Sequence, residues 1–161
     1  LIVEQPNRDF GHTMMRQFLF DAWQWQILTA LKSSKHEQIA AIAEKSLKEV
    51  TYHLERSSDT VIALGDGTEE SHNRMQAALD RLWPYVGEMF LTDEHDLIDV
   101  AALRPAFDAQ ISDIFGAATL TRPNTDFTHK GGKTGKRHTE HLGHMLAAMQ
   151  FLPRAYPDAK W

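Results

Sequence analysis

Cysteine is absent from this chain of 161 residues, which excludes disulfides, thiolate metal ligands and cysteine nucleophiles. Long apolar runs are absent as well. None approaches the ~18 consecutive residues that a membrane-spanning helix needs, and the first residues lack the plan of a signal peptide. The net charge of -5 argues against general nucleic-acid binding, which a basic domain would show. We therefore expect a cytoplasmic protein that binds neither membranes nor nucleic acid.

Alternation of polar and apolar residues, which is typical of strands, is also scarce. Apolar residues instead recur at the three- and four-residue spacing of amphipathic helices. We predict one all-α domain over residues 1–161, in which Pro84 interrupts the third helix and Asp99 caps the fourth. The predicted helices cover residues 9–32, 37–64, 69–89 and 100–120, with a last one from 138 to just before Pro153.

The predicted last helix follows a loop over residues 121–137 that is dense in proline, glycine and lysine. Its apolar residues recur at helical spacing, so we expect that side of the helix to be buried. The residues expected on this buried face are Leu142, Met145, Leu146 and Met149.

Asp21 and His53 are the candidates for chemistry. Di-iron four-helix bundles take lone carboxylates from two helices and a Glu-x-x-His pair from each of the other two. Here Val50 stands three residues before His53, where the glutamate of such a pair would be. A valine cannot bind iron, so the pattern favours either a metal half-site built on Asp21 and His53 or a buried Asp–His or Asp–Tyr hydrogen-bond cluster.

Two other histidine pairs could bind metal. Glu69 and His72 have the Glu-x-x-His spacing, but an acidic, solvated helix start that follows a Thr68 cap explains them without metal. His141 and His144 are three residues apart on the last helix, where a surface or interface role is the simpler interpretation.

A glycine- and lysine-rich stretch over residues 131–137 resembles a phosphate-binding loop at first sight. Its spacing is one residue short of the P-loop pattern, Arg137 replaces the hydroxyl residue, and no strand precedes it. Because it lies just before a helix N-terminus, it can still attract anions. We expect either a plain solvated loop or a docking site for an acidic partner or a coenzyme A ester, formed by Lys130, Lys133, Lys136 and Arg137.

Six segments in order along the whole chain resemble one family, the C subunits of the bacterial ring-1,2-phenylacetyl-CoA epoxidases (phenylacetate-CoA oxygenases). No single segment would be specific, but together they are. The segments are VEQPN (3–7), RQFLFDAW (16–23), QIAAIA (38–43), KEVTYHL (48–54), LGDGT (64–68) and HTEHLG (138–143).

This resemblance implies a ferritin-like helical bundle within a multicomponent monooxygenase of phenylacetate degradation. The catalytic A subunit of that complex carries the di-iron centre and epoxidises the aromatic ring. The C subunit is its paralogue, has lost iron binding and forms the A–C core with it. By this resemblance Asp21, Val50 and His53 are vestigial ligand positions, and the chain has no catalytic residue and binds no cofactor.

Members of this family begin with two further long helices, whereas this chain starts after them. We therefore expect an incomplete bundle, which corresponds to the C-terminal part of a longer family chain and is stabilised by self-association or by a partner. Two alternatives stay open. One is an independent di-iron protein using Asp21, His53 and either Glu69 or His72, and the other is a helical adaptor without an oxygenase partner.

Overall fold

The computed structural model describes residues 1–160, and these residues form an all-helical fold without strands, in agreement with a ferritin-like bundle. The α-helices are α1 (Phe10–Leu31), α2 (Glu37–Gly65), α3 (Glu69–Leu82), α4 (Arg104–Ala117) and α5 (Glu140–Ala155). Short 3-10 segments occupy Ile2–Glu4, Trp83–Tyr85, Gly87–Phe90 and Ala101–Leu103.

The helix boundaries follow local chemistry. Asp9 caps α1 by accepting a hydrogen bond from the backbone of His12, and Thr68 caps α3 through a reciprocal capping box with Ser71. Pro84 lies in the 3-10 segment that follows α3, because a proline cannot supply the N–H that would continue an α-helix. The predicted interruption is therefore confirmed.

The core forms where α1 packs against α2, α3 and α4. Phe18 on α1 and Phe115 on α4 meet edge to face with ring centroids 6.0 Å apart, an arrangement that aromatic rings prefer. The main members of this core are Met15, Phe18, Leu19, Val61, Met75, Leu79, Leu82, Phe107 and Ile111. No helix within residues 1–160 is long and apolar enough to cross a membrane.

Helix α5 departs from the prediction in two ways. None of its residues is buried, so the expected buried face was wrong: helical periodicity identifies an apolar side but does not supply a surface opposite it. The helix also runs through Pro153 instead of ending before it. Pro153 lies in the exposed last turn, where solvent can satisfy the carbonyl that loses its intrahelical partner.

Candidate functional site

Asp21 lies in the middle of α1 and is 1% exposed. Its Oδ1 accepts a hydrogen bond of 2.6 Å from Gln17 Nε2, and its Oδ2 accepts one of 2.9 Å from Ser57 Oγ. Burial raises the pKa of Asp21, while the hydrogen bonds from Ser57 and Gln17 oppose this shift. Both carboxylate oxygens are thus engaged by protein donors, as expected for a buried polar cluster.

The residues around Val50 on α2 explain why His53 is not part of this cluster. Val50 and Ser57 are buried, whereas His53 is exposed. At ~100° per residue, His53 points about 60° away from Val50, and Ser57 only about 20°. Ser57 therefore faces α1, and the expectation that His53 shares a buried cluster with Asp21 was wrong.

Within residues 1–160, no three His, Asp or Glu side chains lie close enough together to hold a metal ion. The described residues therefore do not fit a di-iron centre, which needs several carboxylates and histidines around two ions. At the Asp21 position, the chemistry of the neighbours is also wrong for iron. Val50 has no ligand atom, and the Ser57 hydroxyl donates a hydrogen bond to the carboxylate.

The other histidine pairs have ordinary structural surroundings. His72 Nδ1 lies 2.8 Å from the carbonyl oxygen of Gly65 and 3.2 Å from Thr119 Oγ1, so it links the end of α2 to the end of α4. Glu69 is exposed in the first turn of α3. His141 and His144 are exposed on α5.

The glycine-rich loop already holds an anion, and that anion is the protein's own Glu88. The backbone nitrogens of Gly132 and Lys133 donate to Glu88 Oε1 at 2.6 and 3.3 Å, and Glu88 is 2% exposed. The resemblance to a phosphate-binding loop thus has a local physical basis, because successive backbone N–H groups bind negative charge. Here an internal carboxylate occupies the position.

Three of the four basic residues on this loop are exposed and available to contact a partner. Lys133 Nζ forms an ion pair of 2.7 Å with Asp96, and this contact lowers the pKa of Asp96 even though burial opposes the change. Lys130, Lys136 and Arg137 are exposed. The structure therefore separates Lys133, which fixes the loop, from the three other cations.

Sequence reasoning missed Ser57 and Gln17, the two donors to Asp21. Gln17 precedes Asp21 by four residues, a spacing at which helix side chains meet. Ser57 follows Val50 by seven residues, which returns it to the same helix face. Both signals are present in the sequence, but only the packing of α1 on α2 shows which side chain faces the carboxylate.

Comparisons with known proteins agree with the resemblance of the six segments. A family model described as "Phenylacetic acid catabolic protein" matches residues 1–161. The C subunit of the 1,2-phenylacetyl-CoA epoxidase of Escherichia coli (strain K12) is 41% identical over 169 aligned residues, which cover 100% of this chain and 68% of that protein. The chain therefore belongs to the family of phenylacetic acid catabolic proteins.

Proposed function

We propose that the chain is a non-catalytic structural subunit of a cytoplasmic multicomponent oxygenase that epoxidises the aromatic ring of phenylacetyl-CoA. In this proposal it scaffolds the catalytic A subunit, which holds the di-iron centre, and it binds no cofactor itself. One observation carries the proposal: both oxygens of Asp21 are engaged by Gln17 and Ser57, with Val50 at the glutamate position. The name of the similar E. coli protein, an epoxidase subunit, supports the reaction class.

A substitution test in the reconstituted oxygenase separates the structural role from the di-iron alternative. His53→Ala and Asp21→Asn each remove a ligand that an independent di-iron site would need. We expect both variants to support epoxidation of phenylacetyl-CoA within about twofold of the wild-type rate. A loss of about a hundredfold or more with unchanged complex assembly would contradict the proposal, because losses of this size accompany removal of groups that act in the transition state.

The apolar stripe of α5 is the surface we propose for the partner subunit. At ~100° per residue, it covers about 120° of the helix circumference, the width typical of a helix face that packs on another element. Since the similar E. coli protein is one subunit of an epoxidase, we assign this face to a second subunit of the oxygenase. The stripe consists of Leu142, Met145, Leu146, Met149 and Leu152.

Charge reversal of the stripe tests this assignment. Met149 is 67% exposed, so Met149→Glu leaves the fold intact while placing a charge in the proposed interface. Ala147→Glu puts the same charge on the opposite, exposed side of α5 and is the matched control. We expect only Met149→Glu to reduce co-purification with the catalytic subunit, by about tenfold or more, the loss typical of a central interface residue. Equal retention by both variants would refute the assignment.

Self-association of the chain is the competing occupant of the same stripe. The mass of the purified chain in solution, measured by light scattering with and without the catalytic subunit, distinguishes the two. We expect a heteromeric complex to form at the expense of any homo-oligomer. A homo-oligomer that Met149→Glu dissociates, and that the catalytic subunit does not displace, would assign the stripe to a second copy instead.

The exposed cations Lys130, Lys136 and Arg137 are a second proposed contact, with an acidic surface of the partner. Because exposed charges act mainly on association rate and are screened by salt, we expect Lys136→Gln to slow complex formation at low salt and to have little effect at high salt. Slowing that is independent of ionic strength would contradict this role.

A further inference from the structure

Helix α5 is attached to the rest of the fold at its first end. None of its residues is buried, and only Leu142 and Gln150 are half-buried. None of the extensive contacts between helices of residues 1–160 involves α5. Along that part of the chain, the last side-chain hydrogen bonds are those of His138 and Thr139. The position of α5 is therefore determined by what holds the residues that precede it.

The loop before α5 is fixed to the core as far as Lys133. The backbone N–H of Gly132 donates to Glu88 Oε1 at 2.6 Å, and Glu88 is 2% exposed. The next residue, Lys133, forms its ion pair with Asp96 at 2.7 Å. Because both contacts reach side chains outside the loop, this part of the loop cannot move without breaking them.

The four residues that follow, 134–137, are exposed and form a turn of their own. The backbone nitrogens of Lys136 and Arg137 donate to the carbonyl oxygen of Gly131 at 2.9 and 3.0 Å. Gly135 has a φ of +68°, a conformation that glycine adopts readily. Beyond its chain neighbours, no atom of the described residues lies within 4 Å of the position a Cβ would take there. The turn therefore has room to change its dihedral angles, as a hinge must.

Glu4 connects the core to the residues beyond this turn. Its Oε1 accepts a hydrogen bond of 2.7 Å from His138 Nδ1, and its Oε2 accepts from Thr139 N and Oγ1 at 2.7 and 3.0 Å. Glu4 belongs to the 3-10 segment Ile2–Glu4. That segment is fixed to the core by Ile2, which is 3% exposed. Three hydrogen bonds to one carboxylate, a strong kind of acceptor, thus hold the start of α5.

Glu4 also takes the place of a local cap. Thr139 precedes α5, but its side chain accepts no hydrogen bond from the first turn. Its hydroxyl donates to Glu4 instead. A negative charge is favourable there, because the first turn of a helix carries partial positive charge.

We infer that α5 is a hinged arm, with residues 134–137 as the hinge and the Glu4 carboxylate as the latch that holds the arm in one orientation. With the latch closed, the arm presents its apolar stripe without the loss of orientational freedom that binding otherwise costs. This consequence rests on the partner role proposed above for the stripe, whereas the hinge and the latch do not.

Spin-label distances within the full chain test the inference. The chain has no cysteine, so Ala109→Cys on α4 and Ala147→Cys on α5, both at exposed positions, give a single labelled pair. Double electron–electron resonance should show one narrow range of distances while Glu4 is present. After Glu4→Ala, the population outside this range should rise about tenfold or more, the shift expected when hydrogen bonds to a charged group are lost.

Glu140→Ala is the matched control, because it removes an exposed carboxylate from the same end of α5 and leaves the latch in place. It should leave the distances unchanged. Circular dichroism distinguishes movement of an intact helix from its unfolding, and we expect the helix content of Glu4→Ala to equal that of the unchanged protein.

Four results would overturn the inference: a broad range of distances while Glu4 is present, an unchanged range in Glu4→Ala, an equal effect of Glu140→Ala, or a loss of helix content in Glu4→Ala. All are measured on the chain without the catalytic subunit. If the arm moves as expected but Met149→Glu leaves binding to the catalytic subunit intact, the hinge and the latch stand and the partner role of the stripe is refuted.

Discussion

Removal of the Ser57 hydroxyl tests the Asp21 cluster most sharply. Ser57 is 1% exposed, and its Oγ donates to Asp21 Oδ2 at 2.9 Å. A hydrogen bond to a charged group contributes about 1.5–3 kcal/mol, compared with about 0.5–1.5 kcal/mol for a neutral pair. We therefore expect Ser57→Ala to lower the free energy of unfolding at pH 7 by about 2 kcal/mol, because the buried carboxylate keeps only the donor from Gln17.

The same substitution in an Asp21→Asn background shows how much of the stability loss depends on the negative charge of Asp21, because asparagine has nearly the same shape without the charge. Without a charge at Asp21, the loss caused by Ser57→Ala should fall to about 1 kcal/mol, so the coupling between the two positions is about 1 kcal/mol. Ser58→Ala is the matched control, since Ser58 is a neighbouring serine of low exposure, and the donors to Asp21 are Ser57 and Gln17. Urea unfolding followed by circular dichroism gives all these values.

The pH dependence of the free energy of unfolding tests whether the pKa of Asp21 is raised by folding. Because the folded-state pKa of Asp21 is raised by burial, the folded protein binds this proton more tightly than the unfolded chain does. The stability that Asp21 contributes is therefore fully present below its unfolded-state pKa, and it is lost as pH rises through the raised folded-state pKa. Asp21→Asn should remove that part of the pH dependence. A loss below about 0.5 kcal/mol for Ser57→Ala, or the same loss in both backgrounds, would refute the reasoning.

Two further predictions concern packing and the attachment of α5. A Cβ at Gly65 would lie 2.8 Å from the Cβ of Ala118, so Gly65→Ala should destabilise the protein by about 1–3 kcal/mol. In contrast, a Cβ at Gly116 in α4 would meet no atom of the described residues within 4 Å beyond the backbone of its own helix. Gly116→Ala should therefore be neutral or stabilise by about 0.5–1 kcal/mol; denaturant unfolding measures both, and equal effects would contradict the packing argument. Glu4 accepts hydrogen bonds from Thr139 N and Oγ1 at 2.7 and 3.0 Å. Burial would raise its pKa, but the hydrogen bonds outweigh burial and lower it. The attachment should therefore be present above the unfolded pKa and lost as pH falls through the folded value, and Glu4→Gln should speed amide exchange at the start of α5 at neutral pH; unchanged exchange would contradict this.

The sequence was sufficient for features that depend on neighbours along the chain. The bounds of α1 and α2, the Thr68 cap and the interruption at Pro84 follow from periodicity, side-chain capping and the missing proline N–H. The burial of Asp21 was predictable for the same reason, because it lies within an apolar stripe of a long helix.

Features that depend on what lies opposite a helix were not predictable. The sequence favoured His53 as the partner of Asp21, yet His53 points about 60° away from Val50 around α2, and Ser57 faces the carboxylate instead. Similarly, the apolar periodicity of α5 identified a face but not its occupant, and that face is exposed in the described residues. The glycine-rich loop suggested an external anion, while the fold brings Glu88 to it.

The iron content of the purified protein tests the central claim most directly. Iron should be measured in the chain expressed alone with added iron, and in its complex with the catalytic subunit at known stoichiometry. We predict negligible iron in the chain alone, and in the complex an amount that scales with the catalytic subunit only. About two iron ions per chain, the content of a di-iron bundle, would contradict the structural role.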